Sequence, residues 1–426
     1  MEDTMLHPKQ NTYNTRSTSV RFGWYHFLCI TIVLFLCFSA PAPAQPANGA
    51  NKFLGNLTTL GMVRSDFLTY WNFITGENEC KWAVIEASRD RMNWRGADSI
   101  AAFARRNDIP WNFHSLFTSG SHPNWVSGLS DAELLEEIGE WMDSAAARFP
   151  DVPMVTVINE GYPGHTFPGV FKKALGGDGA TGFDWAIKAF TMARQRWPDA
   201  LLIFNEYNNL EWEAEIAWTV DLATTLINAG APIDAIGCEA HYVWEMPTDS
   251  ITMNINRIAA TGLPVYISEY DIDASSPELQ DSIMREQFPV FWNHPKVIGV
   301  TYYGYIFGST WRANTGLLTP EGVERPALTW LADYVKNHPD PPNDFPGFLD
   351  GGTATQPKRN GYTISATHIA QGRSAPVNAG FFDLQGRMIR MQRGGNRFPI
   401  APLRYAPGTV ISFTDGSYRR ETGMDR

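Results

Sequence analysis

Residues 152–160 read VPMVTVINE, a β-branched, apolar run that ends in an amide and a carboxylate. A segment with helical spacing of its apolar residues follows at 182–197, and the next apolar run, ALLIFNEYN at 200–208, again ends in polar residues that include Asn and Glu. Strands that alternate with helices are typical of parallel βαβ units. Residues 152–160 therefore predict a buried parallel strand that presents polar side chains at its carboxyl end.

The same alternation extends over residues 51–336. Further strands are predicted at 109–115, 235–241, 263–271 and 297–305, and further helices at 130–149 and 211–230. Ser130 and Glu133 have the spacing of a capping box at the start of the first of these helices. About 285 residues that hold roughly seven or eight such repeats fit a (β/α)8 TIM barrel, an α/β fold. A doubly wound open sheet is the alternative, but the chain has no dinucleotide-binding fingerprint to support it.

The amino-terminal segment carries an export signal. Residues 22–38 are almost wholly apolar, basic residues precede them, and Ala-Pro-Ala at 42–44 has the small-x-small pattern of a cleavage site. We predict a signal peptide over residues 1–44 and a secreted protein. The alternative is an uncleaved anchor that attaches the protein to the cell surface, because the apolar run is near the lower limit for spanning a bilayer.

The carboxyl-terminal segment differs from the rest in composition. A Pro/Gly/Asn-rich stretch at 337–361 is typical of a linker, and short β-like runs within 362–426 predict a small β-rich module. Residues 351–426 contain 11 basic and 4 acidic residues, against 23 and 41 in the first 350 residues. The sequence leaves three roles open for this basic module: binding something acidic, mediating attachment or export, or being only a small soluble β-domain.

Composition excludes several classes of function. The net charge of −11 argues against a nucleic-acid partner for the main body. No phosphate-binding Gly-rich loop with a Lys and no Cys/His cluster with zinc spacing is present, so we expect no cofactor and no metal. Outside the leader, only Cys80 and Cys238 remain, and the sequence does not decide whether they form a disulfide.

Polar residues follow most of the predicted strands, where a barrel holds its catalytic groups. They are Asn78, Glu79, Lys81, His114, Asn159, Glu160, Asn205, Glu206, Glu239, His241, Glu269 and Asp271. A single acid at a strand end is usually solvated or salt-bridged. Several acids around one mouth lined with amides and aromatics form the pattern that glycoside hydrolysis needs. We interpret Asp271 and Asp273 as ordinary loop acids, and Asn205 as a support of the barrel mouth.

Seven blocks of the chain resemble glycoside hydrolase family 10, the endo-1,4-β-xylanases, and residues 174–190 and 322–331 are similar to one bacterial branch of that family. In chain order the seven blocks are GENECKW (76–82), HSLFTSGSHPNW (114–125), VINE (157–160), NEYN (205–208), CEAH (238–241), PVYISEYDID (264–273) and GSTWRANTGLL (308–318). The resemblance covers roughly residues 51–336. Its specificity lies in the agreement of all seven blocks in order.

The resemblance implies a (β/α)8 barrel and a retaining double-displacement mechanism, with Glu160 as the acid/base and Glu269 as the nucleophile. It implies xylan or a related plant cell-wall polysaccharide as the partner, and we expect a monomer. The substrate-binding residues that it implies are Glu77, Asn78, Lys81, His114, Asn159, His241, Tyr303 and Trp311. His241 is expected to hold Glu269 by a hydrogen bond.

Four positions near the reacting sugar depart from the family pattern. Thr118 and Tyr303 stand where the family usually has Trp, Glu239 where it has Gln, and Glu206 where it has Asp. We expect Thr118 to change affinity or linkage choice, because an aromatic wall is lost. We expect the carboxylate of Glu239 to raise the pKa of Glu160 and to move the pH optimum upward.

Three hypotheses about function follow. The first is a secreted endo-1,4-β-xylanase that hydrolyses internal β-1,4-xylosidic bonds of xylan. The second is a retaining hydrolase of another β-glycan or of a decorated xylan, motivated by Thr118 and Tyr303. The third is a carbohydrate-binding protein that has lost catalysis.

Overall fold

The computed structural model describes residues 45–345 and, in the carboxyl-terminal part, the backbone of five short strands between 381 and 422. The chain divides into two compact units, residues 1–362 and 363–426. The predicted signal peptide (1–44) lies outside the described residues, as do most of the predicted linker (337–361) and of the predicted module (362–426). The boundaries of these segments stay predictions.

Eight parallel strands close into a barrel in chain order, and the last strand pairs with the first. They are β1 (Phe53–Leu57), β2 (Phe73–Thr75), β3 (Trp111–Thr118), β4 (Met154–Asn159), β5 (Leu201–Glu206), β6 (Ala235–Cys238), β7 (Val265–Tyr270) and β8 (Val297–Tyr302). The predicted (β/α)8 barrel is therefore confirmed, and each of the six strands predicted individually is present.

Helices alternate with these strands and cover the barrel. They are α1 (Phe67–Tyr70), α2 (Trp82–Ile85), α3 (Arg95–Asn107), α4 (Asp131–Arg148), α5 (Gly169–Ala174), α6 (Asp184–Arg196), α7 (Glu213–Asn228), α8 (Thr248–Ala259), α9 (Pro277–Trp292) and α10 (Pro326–Asn337). The predicted capping box is present, because the Ser130 side chain accepts from the Glu133 backbone N–H and the Glu133 side chain accepts from the Ser130 backbone N–H. Within the described part of the chain, no helix combines the length and apolar character needed to cross a bilayer.

Apolar side chains fill both faces of the strands, as expected for a parallel sheet covered by helices. Inside the barrel, a small cluster closes the amino end; it comprises Phe53, Phe73, Met154, Ile203, Ala235, Tyr266 and Ile298. A larger core lies between strands and helices. In it the rings of Trp82 and Trp94 both stack on the ring of Trp141, with ring centroids 5.5 and 5.6 Å apart. Many of the aromatic residues are thus packing residues rather than binding residues. Cys80 and Cys238 are both buried and free, so they form no disulfide.

The second unit contains antiparallel sheets. Strands β9 (Phe381–Phe382) and β10 (Met388–Ile389) form a two-stranded pair, and β11 (Leu403–Tyr405), β12 (Thr409–Thr414) and β13 (Ser417–Thr422) form a three-stranded sheet in chain order.

The strand register places one row of small and polar residues across the carboxyl half of the barrel. Thr118 pairs with Asn159, Asn159 with Asn205, and Asn205 with Gly237. A Cβ atom on Gly237 would overlap the Asn205 side chain, so this position requires glycine for space rather than for backbone conformation. The Asn205 amide can then extend over β6 toward the centre of the mouth.

We predict that Gly237→Ala lowers the free energy of unfolding by about 1–3 kcal/mol, because the added methyl group overpacks a buried site. Gly169→Ala is the matched control, since its added Cβ meets nothing within 4 Å. Chemical denaturation of both variants checks this. Equal midpoints for the two variants would show that the Asn205 side chain moves aside without cost.

Candidate active site

The polar residues predicted at strand ends do meet at one mouth. Asn159 is the last residue of β4, and Asn205 and Glu269 are the last but one of β5 and β7; all three are buried. Glu239 and His241 follow β6 and are also buried. Asn205 is the central contact, because its Nδ2 lies 2.7 Å from Asn159 Oδ1, 3.0 Å from Glu239 Oε1 and 2.9 Å from Glu269 Oε1. Ser268 Oγ donates to its Oδ1 at 2.6 Å. Asn205 thus supports the mouth, as its position suggested.

Glu269 is held as a carboxylate. Its side chain accepts from Asn205, and His241 Nε2 lies 3.5 Å from its Oε2. Burial acts to raise the pKa of Glu269, but the hydrogen bond from His241 and the nearby positive charges outweigh it, and the pKa lies below its ordinary value. Such a group is ionised at neutral pH and can act as a nucleophile.

His241 carries a positive charge. Its Nδ1 lies 3.1 Å from Asp271 Oδ2, and Asp271 is fully buried. Burial alone would lower the pKa of His241, but the charge and hydrogen bond of Asp271 raise it to about 9. The interpretation of Asp271 as an ordinary loop acid was wrong. Asp271 lies two residues after Glu269, and this spacing in a strand puts both side chains on the same face, which was the available signal for its role.

Glu160 directly follows β4 in a left-handed conformation, with φ of 58°. Its backbone N–H donates to the carbonyl of Asn205 at 2.9 Å, and the hydroxyl of Ser119 donates to its carboxylate. Burial, then the charges of Glu269 and Glu206, raise the pKa of Glu160 to about 7. Near neutral pH this carboxyl keeps a proton in much of the population, whereas Glu269 does not.

Glu239 is buried between Asn205 and His241. Its pKa is raised well above the ordinary value by burial first and then by the charges of Glu269 and Glu160. Its Oε1 accepts from Asn205 Nδ2 at 3.0 Å, and its Oε2 lies 3.5 Å from His241 Nε2. The raised pKa of Glu160 comes from burial and the charges of Glu269 and Glu206, so the expected effect of Glu239 on it stays a prediction.

A second buried network lies behind Glu160, and the sequence reasoning missed most of it. The Glu206 carboxylate accepts from the backbone N–H groups of Tyr162 and Tyr207 at 2.8 and 3.1 Å, and His165 Nδ1 lies 2.7 Å from it. The His165 ring stacks on Tyr207 at 3.5 Å. Glu206, the last residue of β5, thus holds the turn that follows Glu160 against the end of β5. The histidine that ends the stretch NEGYPGH was the available signal for this contact.

The predicted residues on the β2 and β3 side form a looser group. Lys81 Nζ donates to Asn78 Oδ1 at 3.0 Å, and Asn78 is exposed. Glu77 is half-buried, and burial followed by the charge of Glu79 raises its pKa. His114 lies against Thr156 Oγ1 at 3.3 Å, and burial lowers its pKa to about 4, so its imidazole is neutral at pH 7.

The remaining predicted residues define the walls of the mouth. Thr118 is buried and accepts a hydrogen bond from Asn159 Nδ2 at 3.2 Å, so it orients an amide instead of offering an aromatic face. The ring of Tyr303 meets that of His241 edge-on at 5.3 Å. Trp311 is 48% exposed, its ring lies 4.5 Å from that of His241, and its Nε1 donates to Asp271 at 2.5 Å.

Glu239, His241 and Glu269 can bring one ligand atom each within 4.8 Å of one another. The pKa of His241 is about 9, and a charged imidazolium has no free lone pair for a metal ion. The group is better suited to proton transfer and to stabilising charge than to metal binding. A neutral carboxyl group beside an ionised one is the arrangement that general-acid and nucleophilic catalysis require together.

Residues 48–334 match the family Glycosyl hydrolase family 10. Endo-1,4-beta-xylanase B of Cellvibrio japonicus (strain Ueda107) is 40% identical over 289 residues, which are 68% of this chain and 46% of that protein. The chain thus spans less than half the length of this relative. Endo-1,4-beta-xylanase A of Caldicellulosiruptor saccharolyticus is 29% identical over 283 residues, 60% of this chain and 81% of that protein. The crystal structure of xylanase 10B from Thermotoga maritima is 25% identical, with a TM-score of 0.61 over 69% of this chain and 98% of its own.

We predict that Glu239→Gln leaves the titration of Glu160 near pH 7, because burial and the charges of Glu269 and Glu206 raise the pKa of Glu160. Selective ¹³C labelling of glutamate carboxyl groups, with Glu160→Gln to assign the resonance, measures this directly. A fall of the Glu160 midpoint toward the ordinary value of about 4.3 would mean that Glu239 is ionised. The conservative change at an exposed acid, Glu213→Gln, serves as the control.

Proposed function

The chain belongs to glycosyl hydrolase family 10, and we propose that it is an endo-1,4-β-xylanase that hydrolyses internal β-1,4-xylosidic bonds of xylan. The observation that carries the proposal is the pairing of Glu160, whose pKa is raised to about 7, with Glu269, whose pKa is lowered, at one mouth. The relatives from Cellvibrio japonicus and Caldicellulosiruptor saccharolyticus are both named endo-1,4-beta-xylanases, which supports this substrate.

The proposed mechanism retains the anomeric configuration. Glu160 donates its proton to the glycosidic oxygen that leaves, while Glu269 attacks the anomeric carbon and forms a glycosyl-enzyme ester. Glu160, now a carboxylate, then takes a proton from water as the water oxygen attacks the same carbon. The ester bond to Glu269 breaks, and both carboxyl groups return to their starting states.

The neighbouring residues prepare these two groups. His241 and Asn205 hold the Glu269 carboxylate from two sides, at 3.5 and 2.9 Å. Asn159 is proposed to donate to the 2-hydroxyl of the reacting sugar, since Asn205 bonds both the Asn159 side chain and Glu269 and holds them at the same mouth. Glu77, Asn78, Lys81 and His114 are proposed to bind hydroxyl groups on the non-reducing side. Trp311 and Tyr303 supply aromatic surface for a sugar face.

The pKa values set the direction of the pH dependence. Activity requires Glu160 protonated and Glu269 ionised, so kcat/KM should fall as the pH rises through about 7. Toward acid, activity should persist below the ordinary pKa of a glutamate, because the pKa of Glu269 is lowered. A pH–rate profile on an unsubstituted xylo-oligosaccharide gives both limbs. An alkaline limb near pH 4–5 would contradict the role of Glu160.

The activity itself is tested by reducing-sugar release from xylan, with Glu269→Ala as the blank and Glu213→Gln as the matched control. We expect hydrolysis of xylan by the wild type and by Glu213→Gln. We expect a loss of roughly 10⁴-fold or more in Glu269→Ala, as for removal of other covalent nucleophiles. Equal rates for wild type and Glu269→Ala would contradict catalysis and favour a carbohydrate-binding protein. Proton NMR of the first product distinguishes retention from inversion at the anomeric carbon.

A second candidate is a retaining hydrolase of another β-glycan or of a decorated xylan. It is favoured by Thr118, which is buried and bonded to Asn159 where the family usually has an aromatic wall. The same assay with mixed-linkage glucan and cellulose separates the two candidates. Faster release from either of these polymers than from xylan would favour the second.

We also propose that the protein is exported as a monomer. The support is the apolar run at 22–38 with its Ala-Pro-Ala sequence at 42–44. Amino-terminal sequencing of protein from the culture medium should begin after residue 44. Activity that stays with the membrane fraction would favour an uncleaved anchor, and size-exclusion chromatography reports the oligomeric state.

A further inference from the structure

The guanidinium of Arg312 lies between two aromatic rings at the edge of the mouth. Its Cζ is 4.3 Å from the ring centroid of Tyr242 and 4.2 Å from that of Trp311. Both rings are open to solvent, with 39% of Tyr242 and 48% of Trp311 exposed. Stacking on two faces fixes the plane of a guanidinium and leaves its N–H edge free to bind.

Arg312 makes no ion pair with any residue in the described part of the chain. Its Nη1 donates to the carbonyl oxygen of His241 at 3.2 Å. Other arginines of the barrel unit meet carboxylates, as Arg257 does with Glu213 and Arg285 with Asp281. The first 350 residues carry 41 acidic and 23 basic residues, so an arginine that forms no ion pair with the acids of the described part is available for an anion from outside.

A short chain of contacts connects Arg312 to the reacting carboxylate. The Trp311 ring lies 4.5 Å from the His241 ring, and His241 Nε2 lies 3.5 Å from Glu269 Oε2. A polymer with its anomeric carbon at Glu269 and its chain along Trp311 would bring its neighbouring substituents to the guanidinium. The backbone of xylan is neutral and offers no charge to an arginine. A carboxylate on a side group does, and a guanidinium binds it with two parallel N–H donors.

The aromatic surface continues beyond Arg312. The Trp212 ring lies 6.5 Å from that of Tyr242 at an interplanar angle of 28°, and 54% of Trp212 is exposed. Exposed aromatic rings flanking a cation provide both a stacking face for a sugar ring and a charge for its carboxylate.

We propose that Arg312, clamped by Trp311 and Tyr242, forms a subsite for the carboxylate of a uronic acid side group on xylan. This makes an acidic, decorated xylan the preferred substrate, and it rests on the function proposed above. Arg312 is then a specificity-determining residue that binds the decoration and takes no part in bond cleavage.

The experiment compares kcat/KM on glucuronoxylan with kcat/KM on the same polymer after reduction of its carboxyl groups to primary alcohols. In low salt the wild type should prefer the charged polymer roughly threefold to tenfold, the range of a partly exposed guanidinium–carboxylate pair. Arg312→Gln should bring the ratio to about one, and Arg312→Lys should keep part of it, because a charge remains without the planar fork. Salt at about 1 M should reduce the wild-type ratio.

Arg285→Gln is the matched control, because it removes one stacked arginine that lies 5.4 Å from the Trp330 ring, on the outer layer of the barrel. Its ratio should equal that of the wild type. A wild type without preference, or a preference that survives Arg312→Gln, would overturn the proposed subsite.

A binding measurement tests the same ratio without turnover. Calorimetry gives the affinity of the Glu269→Ala protein for an acidic and for a neutral xylo-oligosaccharide. Failure of the wild type to hydrolyse unsubstituted xylohexaose would instead refute the proposed xylanase activity.

Discussion

Four carboxyl groups share one poorly hydrated mouth, and they cannot all be ionised there. Glu160, Glu206, Glu239 and Glu269 lie within electrostatic reach of one another, and Glu206 and Glu239 are essentially inaccessible to water. Burial and mutual repulsion push each pKa upward, so the position of the hydrogen-bond donors decides which group keeps its negative charge. The rest of the site follows from that allocation.

Glu269 keeps the charge because a cation faces it. His241 is an imidazolium only because buried Asp271 raises its pKa to about 9. The charge on Glu269 in turn helps hold the proton on Glu160. Asp271, His241, Glu269 and Glu160 therefore form one linked series, which is negative, positive, negative and protonated in turn, and each member influences the state of the next. Removing the first member would disturb the last, although the two are not in direct contact.

The barrel and the two glutamates could be predicted from the sequence because their signals are local. Six strands are continuous apolar runs, and Glu160 and Glu269 each stand at the end of one. Strands β1 and β2 were not predicted individually, because β1 contains Gly55 and Asn56 and β2 has three residues. Gly55 is nevertheless required, since a Cβ there would lie 2.6 Å from Thr301 Oγ1. That constraint comes from the barrel interior and leaves no periodic pattern in the chain.

The contacts that set charge were less predictable. Ser119 reaches Glu160 and His165 reaches Glu206 across 41 positions each, from loops whose course no local pattern fixes. The effect of Glu239 on Glu160 is hard to predict for a related reason. The residue type shows that a carboxyl group is present. Whether that group is protonated depends on neighbours that only the closed barrel brings together.

The hydrogen bonds around His241 leave Arg312 at the rim without an ion pair among the described residues. Asp271 is bonded to His241 and Trp311, and Arg312 donates to the carbonyl oxygen of His241. The guanidinium lies beside the exposed rings of Trp311 and Tyr242, while the negative charge of Glu269 is buried. A neutral sugar chain interacts little with either charge. An anionic side group experiences attraction at the rim and repulsion at the centre, which would place it on the rim and leave the reacting bond at Glu269.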